Sequence, residues 1–600
     1  MARSYYSPQN LSFLLFEVHE LEDLLSSPHF EHLDRQSLEM MLDSAKQMAD
    51  TFLFPHYEDM DRNEPQLENG NISVHPSVRP YLDAAGEAGW ISLTAPLDYD
   101  GMQAPGMMNA AANFIFSAAN NGAVQLSGLT NSAANLLRSF GTEEQKRYFL
   151  PQMFAGKWQG TMALTEPQAG SSLSDVTTSA TPRGDGSYLI KGQKIYISGG
   201  DYIGAENVVH FVLARIDGAP KGTKGISLFV VPKYRKEGEN LVFNDVTVAG
   251  LYHKMGQKGS PATHLMYGEK GDCVGHLLGE ANRGLAHMFQ MMNEARIAVG
   301  IGASAIASAA YYASLEFAHQ RPQGRPLNNK DLNMDQVTII NHPDVRRMLL
   351  MQKAITEGSM SLGLQAAHYA DKIDVSEGEE KEHYQMLLDI LTPVVKTYPS
   401  EMAIQSISQG MQILGGGGFC KDFPLENYYR DIRIYAIYEG TTGIQSQDLL
   451  GRKVTMKNGL ALQLLSAEIL QTMTDARTFD ELKPYAALLE ENMGRIQQVL
   501  THLMPFAMKG DVERYLADAN LFMELTGITL IAWQWLKQAT KAKQALVNGA
   551  QGSDAEFYQS KLHTMRYFFH YEVPKSLGLT HRLLDATTLT LVEESDTVFI

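Results

Sequence analysis

From about Asn10 to Leu150 the apolar residues return at three- and four-residue spacing, as in Leu11, Leu14, Leu15, Val18, Leu21 and Leu25, and this spacing predicts helices. Within that stretch GTEEQKRYFLP places Thr142 to cap a helix, Gln145 to cap back three residues later, and Pro151 to mark the end. The period changes after Met162. Short runs rich in Val, Ile, Tyr and Phe (SYLIKGQKIYIS, NVVHFVLARI, GISLFVVPKY) are punctuated by Gly, Pro and Asp, which predicts a β domain to about Gly284. Helical spacing resumes in EARIAVGIGASAIASAAYYASLEFAHQR and continues to about Leu450. The acidic stretch from Asp374 to His383 is expected as a solvated loop. Beyond Gly451, LALQLLSAEILQTM and LFMELTGITLIAWQWLKQA predict a further helical domain. The expected fold class is therefore α+β: an N-terminal helical domain (1–160), a middle β domain (161–285), a helical bundle (286–455) and an additional C-terminal helical domain (456–600).

Composition narrows what such a chain can do. At 600 residues it is long enough for several domains with large cores. A formal net charge of −18 argues against binding nucleic acid or an anionic bilayer surface. The two cysteines, Cys273 and Cys420, support neither a disulfide framework nor a cysteine-rich zinc site and fit a reducing compartment. No uncharged run approaches the roughly 20 residues of a membrane span, and MARSYYSPQNLSF lacks a secretory h-region, so a soluble cytoplasmic protein without integral membrane association is expected. GxGxxG after a strand, GxxxxGK[ST] and HExxH are all missing, which counts against a nicotinamide Rossmann enzyme, a P-loop ATPase and a zincin. The histidines form no ligand cluster, so no metal is expected.

Several segments carry chemistry beyond packing. In MALTEPQAGSS (162–172) the Pro167 to Gly170 spacing is a turn that can expose backbone N–H groups and hydroxyls. KIYISGG (194–200) offers an aromatic ring and a hydroxyl on a strand. QILGGGGF (412–419) runs four glycines in a helical neighbourhood, where each costs up to ~1 kcal/mol against Ala, so close backbone approach is expected. In HQRPQGRPL (319–327), Arg321 and Arg325 form a candidate anion-binding pair. In YAIYEGTTGIQ (435–445), Glu439 precedes a glycine at a helix end.

Together with NEAR (293–296), these segments resemble, in order and spacing, the flavin and thioester motifs of the acyl-CoA dehydrogenase family over residues 80 to 450. The length and the C-terminal addition resemble that family's longer bacterial branch. The resemblance implies an acyl-CoA dehydrogenase-like fold with FAD as cofactor. It assigns Met162, Leu164 and Thr165 to the flavin. Tyr196, Ile197 and Ser198 stand where the family commonly has Trp-Ile-Thr, with the ring against the isoalloxazine and the hydroxyl near N5. Gln412, Gly415 and Gly416, with Arg321 and Gln323, are assigned to the FAD pyrophosphate and adenosine side across a dimer interface. Thr441 and Gln445 match further FAD contacts, while Gly443 replaces a frequent Gln. On the substrate side the resemblance places Ser171, Asn293, Arg296 and Gly440, and Glu439 takes the position of the catalytic base. Some relatives carry the base immediately before the NEAR arginine, but here that residue is Ala295, and Glu294 would point about 100° around the helix.

The implied reaction is removal of a thioester α-proton by Glu439 with loss of the β-hydride to FAD, giving a 2-enoyl-CoA. Burial beside an apolar chain strengthens a carboxylate as a base, and donors at the thioester oxygen stabilise the developing charge. By family analogy those donors are the Glu439 backbone N–H and a flavin ribityl hydroxyl. An electron-transfer flavoprotein is the implied electron acceptor and a homodimer the implied assembly. Two rivals remain: an acyl-CoA oxidase passing electrons to O₂, and a flavin-bearing DNA-damage response protein of the same fold, for which residues 451 to 600 lack a basic block.

Overall fold

The computed structural model describes residues 4 to 591 except 330, 332 and 588. Its architecture is the expected α+β fold, and the chain divides into two compact units, one of Met1–Glu31 with Arg296–Ile600 and one of His32–Ala295.

In the His32–Ala295 unit the long helix α1 (Gly106–Phe140) is followed by α2 (Glu143–Phe154). The capping box forms as expected: the Gln145 N–H donates to Thr142 Oγ1 at 3.2 Å and the Thr142 N–H to Gln145 Oε1 at 2.9 Å. Pro151 does not end α2, which runs three residues further with the proline inside it. The strands β1 (Trp158–Ala163), β2 (Ser179–Pro182), β3 (Ser187–Ser198), β4 (Asn207–Ile216), β5 (Ile226–Pro232), β6 (Val246–Tyr252), β7 (Ala262–Tyr267) and β8 (Val274–Leu277) form one sheet. Their order is β6-β7-β3-β8-β5-β4-β1, with β2 paired to β3 and β4. Only the β1–β4 and β2–β4 pairs are parallel. Ile190, Val212, Phe229, Val231 and Leu265 fill the sheet core.

The helix α3 (Gly284–Gln320) is, among the described residues, the one long and apolar enough to cross a membrane, contrary to the sequence reading that no segment qualified. Its most apolar window is 83% buried inside the protein, which is the environment of a core helix.

The other unit is built on α4 (Pro343–Val375) and α5 (Gly378–Leu414). The acidic stretch expected as a loop is mostly helix: only Ser376 and Glu377 separate α4 from α5, and Glu379 and Glu380 occupy the first turn of α5, where carboxylates complement the helix dipole. After the short helix α6 (Thr442–Asp448) come α7 (Leu460–Ala476), α8 (Lys483–Met508), α9 (Ala519–Val547) and α10 (Gly552–Tyr567). These C-terminal helices share one apolar core with α4 and α5, through Ile355, Leu362, Leu391, Leu465, Leu489 and Trp535. Trp535 lies fully buried and its indole N–H donates to the Ala354 carbonyl at 2.9 Å.

Residues read from sequence as the start of the N-terminal helical domain group with this unit instead. Phe13, Leu14, Leu15 and Val18 are buried, and the fully buried Lys561 ammonium donates to Asn10 and, at 2.7 Å, to Glu357, with the Phe13 and Trp535 rings over it. A buried cation of this kind persists only when paired and bonded.

Candidate active site

Glu439 has φ +53°, the left-handed region that a non-glycine residue rarely enters. Its neighbours fix that conformation. Thr441 caps α6, its hydroxyl accepting from the Ile444 N–H at 3.3 Å, and the Thr442 hydroxyl donates to Glu401 on α5. The fully buried Gln445 donates its amide to the Glu439 carbonyl at 3.0 Å. Gly440, at φ +90°, leaves that amide room, since a Cβ there would meet Gln445 Nε2 at 2.4 Å. Backbone strain held by several neighbours is a property of functional sites. The Glu439 N–H donates to no protein group among the described residues. Burial pushes the Glu439 carboxyl above its ordinary range, against the opposing pull of Arg296 and Lys396.

Arg296 lies on α3, buried to 5% exposure, with Nη1 3.9 Å from Asp448 on α6. Burial pulls its guanidinium down while Asp448 and Glu439 hold it up. Glu294, two residues earlier, is exposed and accepts from Asn135 at 3.3 Å, so it lies off the face that carries Arg296; Asn293 is half-buried. Lys396 on α5 is fully buried and its ammonium has no hydrogen-bond partner among the described residues; burial pulls it down, the charges of Glu439 and Glu401 hold it up, and Arg296 opposes them. The sequence reading missed it. The available signal was a lone cation in the run PVVKTYP, whose other members are apolar or small.

In the other unit, the ends of β1 and β3 carry the remaining flavin candidates. Met162, Leu164 and Thr165 are half-buried, Ile197 is buried and Ser198 half-buried. Tyr196 is 62% exposed with φ +59°. It sits at a β-bulge, because the pairing with β7 steps from Ile197↔Thr263 to Lys194↔Leu265, leaving one extra residue on β3. The bulge re-aims the ring outward, where it lies 4.4 Å from the Tyr252 ring. Behind this surface a buried ion pair joins the two segments: Lys194 Nζ donates to Glu166 Oε1 and to the Leu164 carbonyl, each at 2.8 Å. Glu166 also accepts from the backbone and hydroxyl groups of Thr177 and Thr178 and from Gln168. With so many donors and a cation its carboxyl falls to about 2, and burial brings Lys194 down only to about 8, so both partners are charged at neutral pH. Ser171 lines a separate pocket of about 410 Å³ with Leu173, Lys224, Asn282, Arg283 and Phe289.

The glycine run divides its labour. Gly418 meets the expected crowding, a Cβ there falling 2.3 Å from the Met411 carbonyl, whereas Gly415 and Gly416 are exposed with nothing within 4 Å on the Cβ side. Gly415 ends α5 at φ +59°. Gln412, one turn earlier, is also exposed. Arg321 and Gln323 are exposed on a hairpin closed by the Gln323 N–H to Val337 carbonyl bond of 2.9 Å. Within its own loop the Arg325 Nε donates to the Met334 carbonyl at 2.5 Å. An edge-to-face contact of Phe317 with Phe423, centroids 5.5 Å apart, ties the end of α3 to the segment after the glycines.

The structure thus gathers Glu439, Gly440, Thr441, Gln445 and Arg296 with the unforeseen Lys396 and Glu401. It gathers Met162, Leu164, Thr165, Tyr196, Ile197 and Ser198 on the sheet. Gln445 and Thr441 spend side-chain groups on the Glu439 turn itself.

With this geometry in view, the chain was compared with known proteins. It matches the acyl-CoA dehydrogenase N-terminal domain over residues 35–157, the middle domain over 161–269, the C-terminal domain over 282–453, and the acetyl-CoA dehydrogenase C-terminal-like domain over 465–592. It is similar to 3-methylmercaptopropionyl-CoA dehydrogenase of Ruegeria pomeroyi, 39% identical over 84% of each chain. It is also similar to the broad-specificity linear acyl-CoA dehydrogenase FadE5 of Mycobacterium tuberculosis, 34% identical over 98% of each chain. In fold it is similar to an acyl-CoA dehydrogenase of Bacillus anthracis complexed with FAD, with a TM-score of 0.69, 21% identity, and 99% of this chain and 94% of that chain covered.

Proposed function

The chain belongs to the acyl-CoA dehydrogenase family, and from that premise we propose that it converts an acyl-CoA thioester to the trans-2-enoyl-CoA with Glu439 as the base. One observation carries the assignment: a glutamate held on a strained left-handed turn, where burial raises its carboxyl against the charges of the buried Arg296 and Lys396. Glu439 takes the α-proton onto its carboxylate, and its N–H is available to the thioester oxygen. Arg296 and Lys396 oppose the upward shift of the carboxyl and so favour its carboxylate form.

FAD is the cofactor of the family, and this chain's residues fit it. The outward Tyr196 ring offers a flat apolar face, and the half-buried Ser198 hydroxyl lies beside it. Exposed backbone at Gly415 and Gly416, with the exposed Arg321 cation, suits a pyrophosphate. Bound FAD supplies the acceptor for the hydride that leaves the β-carbon. The reading is tested by anaerobic mixing of the yellow protein with a panel of acyl-CoA thioesters, which bleaches the flavin for at least one of them. Electrons pass on to an electron-transfer flavoprotein; peroxide formed stoichiometrically under air would assign the oxidase reaction instead.

The pocket beside Ser171, with Lys224 and Arg283 on its wall, suits the anionic end of CoA. Arg283→Glu is expected to raise KM for the acyl-CoA on the order of tenfold with kcat little changed, read from steady-state kinetics at two salt concentrations. A homodimer is the assembly, with exposed Leu327 and Phe419 among the residues it would cover. Sedimentation equilibrium should give twice the chain mass; a tetramer or monomer would remove it.

A further inference from the structure

We propose that Lys396 is a positioning residue for proton abstraction, its buried, unbonded ammonium acting through its charge to favour the carboxylate form of Glu439. The inference rests on the reading of Glu439 as the base.

The location of Lys396 follows from an unusual helix. α5 contains Pro393 and Pro399 in its interior. A proline has no N–H for the carbonyl four residues back, so Pro399 frees the Val395 carbonyl from its intrahelical bond. That carbonyl is met by α3. Gly300 packs on it so tightly that a Cβ would fall 2.0 Å from the oxygen, a contact only a glycine Cα–H can make. Arg296 lies one turn before Gly300 on the same helix face, and Lys396 is the residue after Val395. The crossing therefore carries two buried cations on packed helices, and the charges of both act on Glu439.

The charge inventory around the crossing is short. α3 supplies Arg296, itself opposite Asp448 and Arg452. α5 supplies Lys396 and Glu401. The turn supplies Glu439. Behind Glu401 stands Glu524 of α9, opposite Lys575. Arg296 has Asp448 to neutralise it and Glu401 has the Thr442 hydroxyl as a donor, whereas the Lys396 ammonium makes no hydrogen bond among the described residues. A lysine buried without a bond is expensive, and ordinary packing would favour Leu or Met at this position. The negative charges of Glu439 and Glu401 support its own. Burial still brings it down to about 8, so it is a cation at neutral pH.

The test uses the FAD-loaded protein and its Lys396→Met and Lys396→Gln variants. Two quantities are followed against pH: the rate of flavin bleaching by an acyl-CoA that bleaches the wild type, and the infrared band of the protonated carboxyl that disappears in Glu439→Gln. Loss of the ammonium should move the acid limb of the rate and the titration of the band up together by about one pH unit. Below the wild-type limb the variants should then be about tenfold slower. Glu401→Gln, which removes the competing carboxylate, should move both readings down. Variants that melt earlier yet keep the wild-type limb and band would reduce Lys396 to a packing residue and overturn the proposal. Should neither Lys396 variant fold, an unmoved limb and band in Glu401→Gln overturns it equally. A wild type that no acyl-CoA bleaches, or full bleaching of Glu439→Gln, would instead defeat the assignment of the base.

Discussion

Glu439→Gln is expected to retain FAD and to lose flavin bleaching by acyl-CoA on the order of 10⁴-fold, because it removes the group that accepts the α-proton while keeping the shape of the turn. The turn is held through the Glu439 carbonyl, Gly440 and the Thr441 and Thr442 hydroxyls, none of which the substitution touches. The same variant carries a second, opposite signature. A carboxyl whose folded pKa is raised loses stability relative to its unfolded form as pH climbs from about 4.5 through the raised value, and the penalty is complete above it. Gln pays no such penalty, so at pH 7 the variant should melt no lower than the wild type, whereas a Glu439 that served as a structural ion-pair partner would give a lower melting temperature. Activity in the wild type should correspondingly fall with decreasing pH through the raised carboxyl value. Full bleaching by Glu439→Gln would defeat the assignment.

Much of this site was legible in the sequence because its motifs are local. YEGTTGIQ holds the proposed base, the capping Thr441, the Thr442 that bonds Glu401 and the glutamine that supports the turn, all within eight residues. The capping box at Thr142 and the strands of the middle domain were legible for the same reason, since each rests on contacts a few residues apart. What could not be read depends on contacts between distant segments. Lys396 acquires its meaning from Gly300 and from a carbonyl that Pro399 sets free, and no periodicity reports a crossing between two helices nearly a hundred residues apart. The Tyr196 bulge likewise depends on register against β7. Arg325 looked equivalent to Arg321 by composition, yet its partner is a carbonyl nine residues away in its own loop. The grouping of the first residues with the C-terminal helices rests on contacts such as that of Lys561 with Asn10, 551 positions away, and of Tyr558 with Glu17.

The Lys194–Glu166 pair turns this lesson into the second large effect. Lys194→Met should destabilise the middle domain by about 3–5 kcal/mol, since it leaves a carboxylate of 1% exposure without its cation. Thr177, Thr178 and Gln168 still donate to Glu166, which keeps the loss toward the lower end of that range. The double change Lys194→Met with Glu166→Gln should recover part of the loss, because no buried charge is then left unpaired. The pH dependence separates this from simple packing. Glu166 is depressed in the folded state, so its contribution is complete above about 4.5 and is lost as pH falls toward about 2. Wild type and the double variant should therefore converge in melting temperature across that acid window, while Lys194→Met remains the least stable at neutral pH. The pair also ties Leu164 and Thr165 to β3, through the Leu164 carbonyl and the 2.9 Å bond from the Ile195 N–H to the Thr165 carbonyl. Weakening it loosens the two segments assigned to the flavin relative to each other, so Lys194→Met should lose FAD on gel filtration under conditions where Glu439→Gln keeps it. Equal FAD retention in the two variants, at a temperature where both are folded, would show that the ion pair stabilises the sheet without shaping the flavin surface.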